Sequence, residues 1–87
     1  NNLAVLFARQ GQYERAQAAL QRAITSAPNY VTARENLADL YLAMAVESYR
    51  QAAELDPKST RLQDKLTAAR QLLSQLQSAP AAPPLAP

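Results

Sequence analysis

Apolar and small side chains recur every three or four positions between Val31 and Leu55, and this spacing dominates the chain. Such spacing forms one broad stripe along a helix, whereas a half-buried strand would alternate apolar and polar residues. The members of the stripe are Leu37, Tyr41, Met44, Ala45, Tyr49, Ala52 and Leu55. Because the segment contains neither glycine nor proline, the sequence predicts one uninterrupted helix over residues 31–55.

Two shorter apolar stripes precede this segment. The first covers residues 1–9 and ends before Gly11, the only glycine in the chain. The second covers residues 12–27 and ends at Pro28, since proline lacks the amide hydrogen that a helix interior needs. Two short helices joined at a glycine predict a helical hairpin.

A last stripe follows Pro57, which ends the long helix. Thr60 and Gln63 have the spacing of a capping box, so a helix is expected to start there and to run to residue 77. Its apolar positions are Leu62, Leu66, Ala69, Leu73 and Leu76. Residues 78–87 contain four of the six prolines and predict an extended tail or linker. We therefore expect an all-α domain over residues 1–77, followed by this tail.

The first and second parts of the chain repeat one another. Leu3, Ala4 and Phe7 correspond to Leu37, Ala38 and Tyr41, 34 positions later, and Ala16, Leu20, Ala23 and Pro28 correspond to Ala45, Tyr49, Ala52 and Pro57. This period and these residue types resemble the tetratricopeptide repeat family, in which small residues let two antiparallel helices approach and a proline ends the second. The resemblance covers residues 1 to about 70 and implies a stack of helical hairpins.

The second repeat is shorter than the first. Nine positions separate Phe7 from Ala16, but only four separate Tyr41 from Ala45, so five residues are absent where the first repeat has its glycine turn. Either the two helices have fused, or the sequence lacks residues that the protein has. The nearly continuous apolar stripe favours fusion, with a C-terminal capping helix after it.

Fusion predicts a dimer. In a hairpin, Tyr49, Ala52 and Leu55 would fold back on the first half of their own repeat, whereas a continuous helix carries them about 15 to 20 Å away. A second copy lying antiparallel would cover them and rebuild the hairpin between two chains as a domain swap. These three residues are the expected dimer contacts.

The resemblance also implies a compartment and a longer parent protein. The run resembles a bacterial segment in which a shortened second repeat stands beside a Pro/Ala-rich linker of a larger cell-envelope protein. Asn1 opens inside a helical pattern, so we expect a fragment of such a protein. The cell envelope or periplasm is the compartment that this resemblance indicates, and the cytoplasm is the alternative.

Proteins of this family bind peptides in a concave groove formed by the first helix of each repeat. Carried over by position, the groove residues here are Asn2, Val5, Arg9, Glu35, Asn36 and Asp39. One subfamily holds a C-terminal carboxylate with a clamp of cations and asparagines, and Arg61 and Lys65 fall where its last two cations lie. The first repeat does not match that clamp, and a solvated cationic helix face is the simpler interpretation.

The amino-acid composition argues against several classes of function. The chain has no cysteine and no histidine, so it lacks a thiolate ligand, a thiol nucleophile, and the residue that usually binds zinc or acts as a general base. A net charge of only +2, with cations and anions interspersed, does not favour nucleic acid as a partner. No apolar run approaches the ~20 residues of a membrane span.

We therefore expect a module for protein–protein contact that binds a protein or peptide in its groove. We expect no catalysis, no cofactor, no metal and no membrane insertion. The alternative is a structural module that dimerises a larger protein by helix exchange. The identity of the partner does not follow from the sequence.

Overall fold

A computed structural model describes residues 11–78, which form three α-helices. They are α1 (Tyr13–Ser26), α2 (Val31–Leu55) and α3 (Thr60–Ser78), and the described residues contain no strand. The all-α fold is therefore confirmed, and α2 continues as a helix through the positions where five residues are absent. The predicted helix over residues 1–9, and all of the predicted tail except Ser78, lie outside the described residues.

Gly11 occupies the turn that precedes α1. Its φ of 74° lies in the left-handed region, where glycine is favoured because it has no Cβ atom to clash with the backbone. The first bond of α1 follows directly, with the Ala16 amide donating to the Gln12 carbonyl at 3.1 Å. The glycine thus holds the backbone conformation that the sequence predicts for it.

The two connections between the described helices are built alike. In the first, the Tyr30 amide donates to the Ala27 carbonyl at 2.9 Å, and in the second, the Ser59 amide donates to the Asp56 carbonyl at 3.1 Å. Each is a four-residue turn with proline in its second position, where the fixed φ of proline suits the turn.

A side chain from the following helix closes each turn in the same way. The Arg34 Nε donates to the Pro28 carbonyl at 3.0 Å, and the Gln63 Nε2 donates to the Pro57 carbonyl at 2.6 Å. In both cases the donor lies six residues after the proline. The repeat is therefore present in the three-dimensional structure, with a spacing of 29 residues between Pro28 and Pro57.

The cap of α3 differs from the expected capping box. Ser59, not Thr60, is the N-cap, and its Oγ accepts a hydrogen bond from the Leu62 amide at 3.2 Å. The Gln63 side chain reaches back to the turn instead of to the cap. The helix starts at Thr60 because the turn brings the Ser59 hydroxyl to the free amides of the first helical turn.

The chain divides into two compact units, with the boundary inside α2 between Leu40 and Tyr41. In the first unit, the described core consists of Ala16, Ala19 and Leu20 from α1 and Ala33 and Leu40 from α2. In the second unit, no residue with a described side chain is buried. Close packing is thus confined to the first unit over the part of the chain that the structure describes.

Candidate functional site

The first half of α2 separates a buried side from an acidic side. Ala33 and Leu40 are buried, whereas Glu35 and Asp39 are exposed. At about 100° per residue, the two carboxylates lie roughly opposite the buried pair, and the half-buried Asn36 lies between the two sides. Glu35 and Asp39, two of the predicted groove residues, therefore share one exposed helix face. The other groove residues, Asn2, Val5 and Arg9, lie outside the described residues.

An open apolar groove lies between the second half of α2 and α3, within the second unit. It is lined by Leu42, Ala45 and Tyr49 of α2 and by Lys65, Ala68, Ala69 and Leu72 of α3. The structure thus places Tyr49, a predicted dimer contact, in the same groove as Lys65, a predicted carboxylate contact. A groove of this kind offers apolar surface with one cation beside it.

The remaining predicted contacts do not line this groove. Ala52 is half-buried, and Arg61 is exposed on α3. Leu55, the last residue of α2, is 88% exposed. Leu76 of α3, which does not line the groove, is also exposed, at 43%, so apolar surface on the second unit extends beyond the groove.

Equivalent positions of the two repeats are buried to different extents. The pairs, 29 residues apart, are Ala16 and Ala45, Ala19 and Ser48, and Leu20 and Tyr49. Every member in the first repeat is at least 94% buried, with exposures of 0%, 6% and 2%. Their counterparts in the second repeat are half-buried or exposed. The helix face that is covered in the first repeat is therefore left open in the second.

A charged network lies on the second half of α2. Arg50 donates to both carboxylate oxygens of Glu47, at 3.0 Å and 2.5 Å, and also to Glu54. The Gln51 amide adds a 3.3 Å hydrogen bond to Glu47. This network was not predicted from the sequence, although opposite charges three and four residues apart on a helix are its ordinary signal.

The network shifts the pKa values of its members in opposite directions. The hydrogen bonds from Arg50 lower the pKa of Glu47 below its usual value near 4.5, and the positive charge of Arg50 acts in the same direction. The hydrogen bond to Glu47 and the two carboxylate charges raise the pKa of Arg50. Both shifts favour the charged forms of the pair at neutral pH.

Three groove residues, Leu42, Ala68 and Leu72, were not singled out from the sequence. The predicted stripe of α3 runs through Leu62, Leu66, Ala69, Leu73 and Leu76. The groove is lined by Ala69 of this stripe and by the neighbouring row of Lys65, Ala68 and Leu72. This row also has helical spacing of three and four residues. Lysine and alanine at two of its positions made it weaker as a hydrophobic signal.

The described residues show no feature of a metal centre. No group of three or more acidic, histidine or cysteine side chains among them could hold an ion, and no buried side-chain nitrogen or oxygen lacks a hydrogen-bond partner. No helix in residues 11–78 has the length and apolar character needed to cross a membrane.

Two family models match the chain, and both are described as tetratricopeptide repeat. One matches residues 2–40 and the other matches residues 31–59, so together they cover two thirds of the sequence. The second match begins with α2 and ends at the turn before α3. No curated protein and no solved structure matches the chain.

Proposed function

Because the chain belongs to the tetratricopeptide repeat family, we propose that it is a non-catalytic module that binds a protein or peptide through its concave groove. Repeats of this family generally mediate protein–protein contact. The observation that carries the proposal is the open acidic face on the first half of α2, where Glu35 and Asp39 are exposed opposite a buried side.

The expected ligand is a basic peptide in extended or helical form. Two carboxylates one turn apart repel one another, which costs roughly 0.2 to 0.5 kcal/mol in a helix. A cationic ligand relieves this repulsion. Asn36, between the acidic face and the buried side, can donate and accept hydrogen bonds with a peptide backbone. Arg61 and Lys65 remain candidate contacts for the ligand's carboxylate.

Fluorescence anisotropy with a labelled lysine-rich peptide tests this groove. The wild-type chain is expected to bind this peptide more tightly than a matched glutamate-rich peptide, and the preference should weaken with added salt. The double variant Glu35→Lys/Asp39→Lys should lose the preference. The control Glu14→Lys/Asp64→Lys makes the same charge change at exposed positions on α1 and α3 and should keep it. If both double variants bind the lysine-rich peptide with equal affinity, the proposal that Glu35 and Asp39 form the binding groove is refuted.

A second candidate function is structural, and the unequal burial of the two repeats favours it. The open face of the second repeat includes Tyr49, and the exposed Leu55 ends the same helix. We propose that a second copy of the chain covers this surface and that the module thereby dimerises a larger protein by helix exchange. Tyr49, Ala52 and Leu55 are the proposed dimer contacts.

Analytical ultracentrifugation at micromolar concentration tests this second function. Two copies per particle are expected, and the double variant Tyr49→Ala/Leu55→Ala should shift the equilibrium toward one copy. Val31→Ala is the control, since Val31 is a 74% exposed apolar residue at the other end of α2. A single copy of the wild-type chain across the concentration range would rule out dimerisation.

A further inference from the structure

The second half of α2 lacks the cover that its counterpart in the first repeat has, and the residue pattern of α2 indicates what the cover is. Ala38, Tyr41, Ala45, Tyr49 and Ala52 follow one another at spacings of three, four, four and three residues. At about 100° per residue, these five side chains lie along one side of the helix. Tyr41 is 44% exposed, Ala38 is exposed and the other three are half-buried.

This stripe reads the same in both directions. Its order is small, aromatic, small, aromatic, small, and it is symmetric about Ala45 in both spacing and residue type. Two copies lying antiparallel with Ala45 at the centre therefore place Tyr41 of each copy opposite Tyr49 of the other, and Ala38 opposite Ala52. Such a contact is isologous, because the same patch serves both copies.

We propose that two copies of the chain pair antiparallel along α2 about a two-fold axis at Ala45. This proposal rests on the second candidate function and specifies its register. The small residue at the axis lets the helices approach closely, and the two tyrosine pairs flank it as offset or edge-to-face aromatic contacts.

The groove of the second unit supports a second copy as the occupant. Ala45 and Tyr49 belong both to the stripe and to the groove wall, while Ala68 and Leu72 supply the opposite wall. The partner's Ala38 and Tyr41 would enter at this point. They are equivalent in sequence to Ala4 and Phe7, the residues that precede the glycine turn of the first repeat.

Charge is complementary as well. Lys65 is the charged residue that lines the groove. On the helix segment that would enter the groove, the exposed Glu35 lies roughly 80° around the helix from the stripe, at the edge of the contact, whereas Asp39 lies roughly 120° away and outside it. The Glu47–Arg50 pair is satisfied within its own helix. Residues along the stripe can therefore be covered without burying this ion pair.

Single-cysteine variants test the register, since the chain has no cysteine of its own. Packed helix axes about 8 to 10 Å apart bring facing Cα atoms, each 2.3 Å off its axis, to roughly 3.5 to 5.5 Å. This range overlaps the 4.4 to 6.8 Å that a disulfide requires. Ala45→Cys is therefore expected to form a covalent dimer readily on mild oxidation of the full chain.

Ala38→Cys and Ala52→Cys supply the matched controls. In the proposed register, the two copies of residue 38 are 14 residues apart along the helix axis, or about 21 Å, so neither variant cross-links to itself. After the two variants are refolded together from urea, a heterodimer linked from residue 38 to residue 52 is expected. Circular dichroism at 222 nm confirms that each variant keeps the helix content of the wild-type chain.

The experiments distinguish an error in the proposed register from an absence of dimerisation. A dimer in the ultracentrifuge that cross-links through Ser48→Cys but not through Ala45→Cys would overturn the register and leave dimerisation standing. Self-linking of Ala38→Cys to the same extent as Ala45→Cys would also overturn it. A wild-type chain that stays monomeric at micromolar concentration refutes both the register and the structural function. The mixed pair at residues 38 and 52 provides an independent test if Ala45→Cys itself is misfolded.

Discussion

Leu20 and Leu40 are the two large side chains that are buried among the described residues, so truncating Leu20 should be costly. Leu20 is 2% exposed and Leu40 is 5% exposed, and the other three buried positions are alanines. Replacing a buried leucine by alanine removes its transfer free energy and leaves a cavity, at a cost of about 2 to 5 kcal/mol. A chain of 87 residues typically has a free energy of unfolding of about 4 to 13 kcal/mol. Leu20→Ala is therefore expected to remove a large part of the stability.

Thermal and urea unfolding, followed by circular dichroism at 222 nm, measure this loss. At about 4 to 8 °C per kcal/mol for a domain of this size, the midpoint should fall by at least about 8 °C. Leu55→Ala makes the same substitution at an 88% exposed site and should cost no more than about 0.5 kcal/mol. The comparison is made at the lowest usable protein concentration, because Leu55 is also a proposed dimer contact.

A third variant keeps the test informative if Leu20→Ala does not fold. Leu20→Met nearly conserves volume, and such exchanges cost less than about 1.5 kcal/mol. The three variants should rank in the order of the buried volume they remove. Equal stability losses for Leu20→Ala and Leu55→Ala would refute the assignment of the packed core to the first unit.

Three further predictions concern the cap, the charged network and the shortened repeat. Ser59→Ala should destabilise α3 by about 1 kcal/mol in urea unfolding. Thr60→Ala should destabilise it less, because Ser59 makes the capping hydrogen bond. A larger loss of stability for Thr60→Ala than for Ser59→Ala would contradict this cap. Hydrogen bonds from Arg50 hold the pKa of Glu47 in the folded chain below its usual value near 4.5. The ionised Glu47 therefore stabilises the fold above pH 4.5, and this contribution is lost as the pH falls through the lowered pKa of the folded state. Glu47→Gln should therefore flatten the fall in melting temperature between pH 7 and 3, and an unchanged acid limb would contradict the coupling. Inserting Arg-Gln-Gly-Gln-Tyr, the turn sequence of the first repeat, after Leu42 should restore a hairpin and yield a monomer whose melting temperature is independent of concentration. A dimer that survives the insertion would contradict the swap.

Local signals in the sequence were sufficient to predict the described helices. The stretch from Val31 to Leu55 contains no helix breaker, and Pro28 and Pro57 cannot continue the helices before them, so each element has an unambiguous end. The sequence did not identify the N-cap residue of α3, because Ser59 and Thr60 are adjacent and both carry a hydroxyl. Which hydroxyl reaches the free amides depends on the turn geometry, and the spacing of residues does not report that geometry.

Tertiary features of the candidate site were predicted less completely. The position of Tyr49 in the repeat indicated an apolar surface, and the structure places it in a groove. The part played by Lys65, Ala68 and Leu72 depends on how α3 packs against the second half of α2. A hydrophobic stripe identifies the strongest face of an isolated helix, whereas a groove uses whichever row of residues borders the neighbouring helix. The row of Lys65, Ala68 and Leu72 could therefore not be identified as a groove wall from the sequence alone.

The missing turn has opposite effects on local and on tertiary structure. Locally, a continuous α2 avoids a glycine, which costs about 1 kcal/mol in a helix interior, and it keeps hydrogen bonds through the junction that a reversal would break. In tertiary terms, the continuous helix carries Ala38 and Tyr41 away from Tyr49 and Ala52, so these residues cannot cover one another within one chain. The structure follows the local preference for a continuous helix, since α2 is unbroken. As a result, apolar surface on the second unit is left open. In the proposed dimer, a second copy would recover that burial without breaking the helix, and for this reason we propose association as the consequence of the shortened repeat.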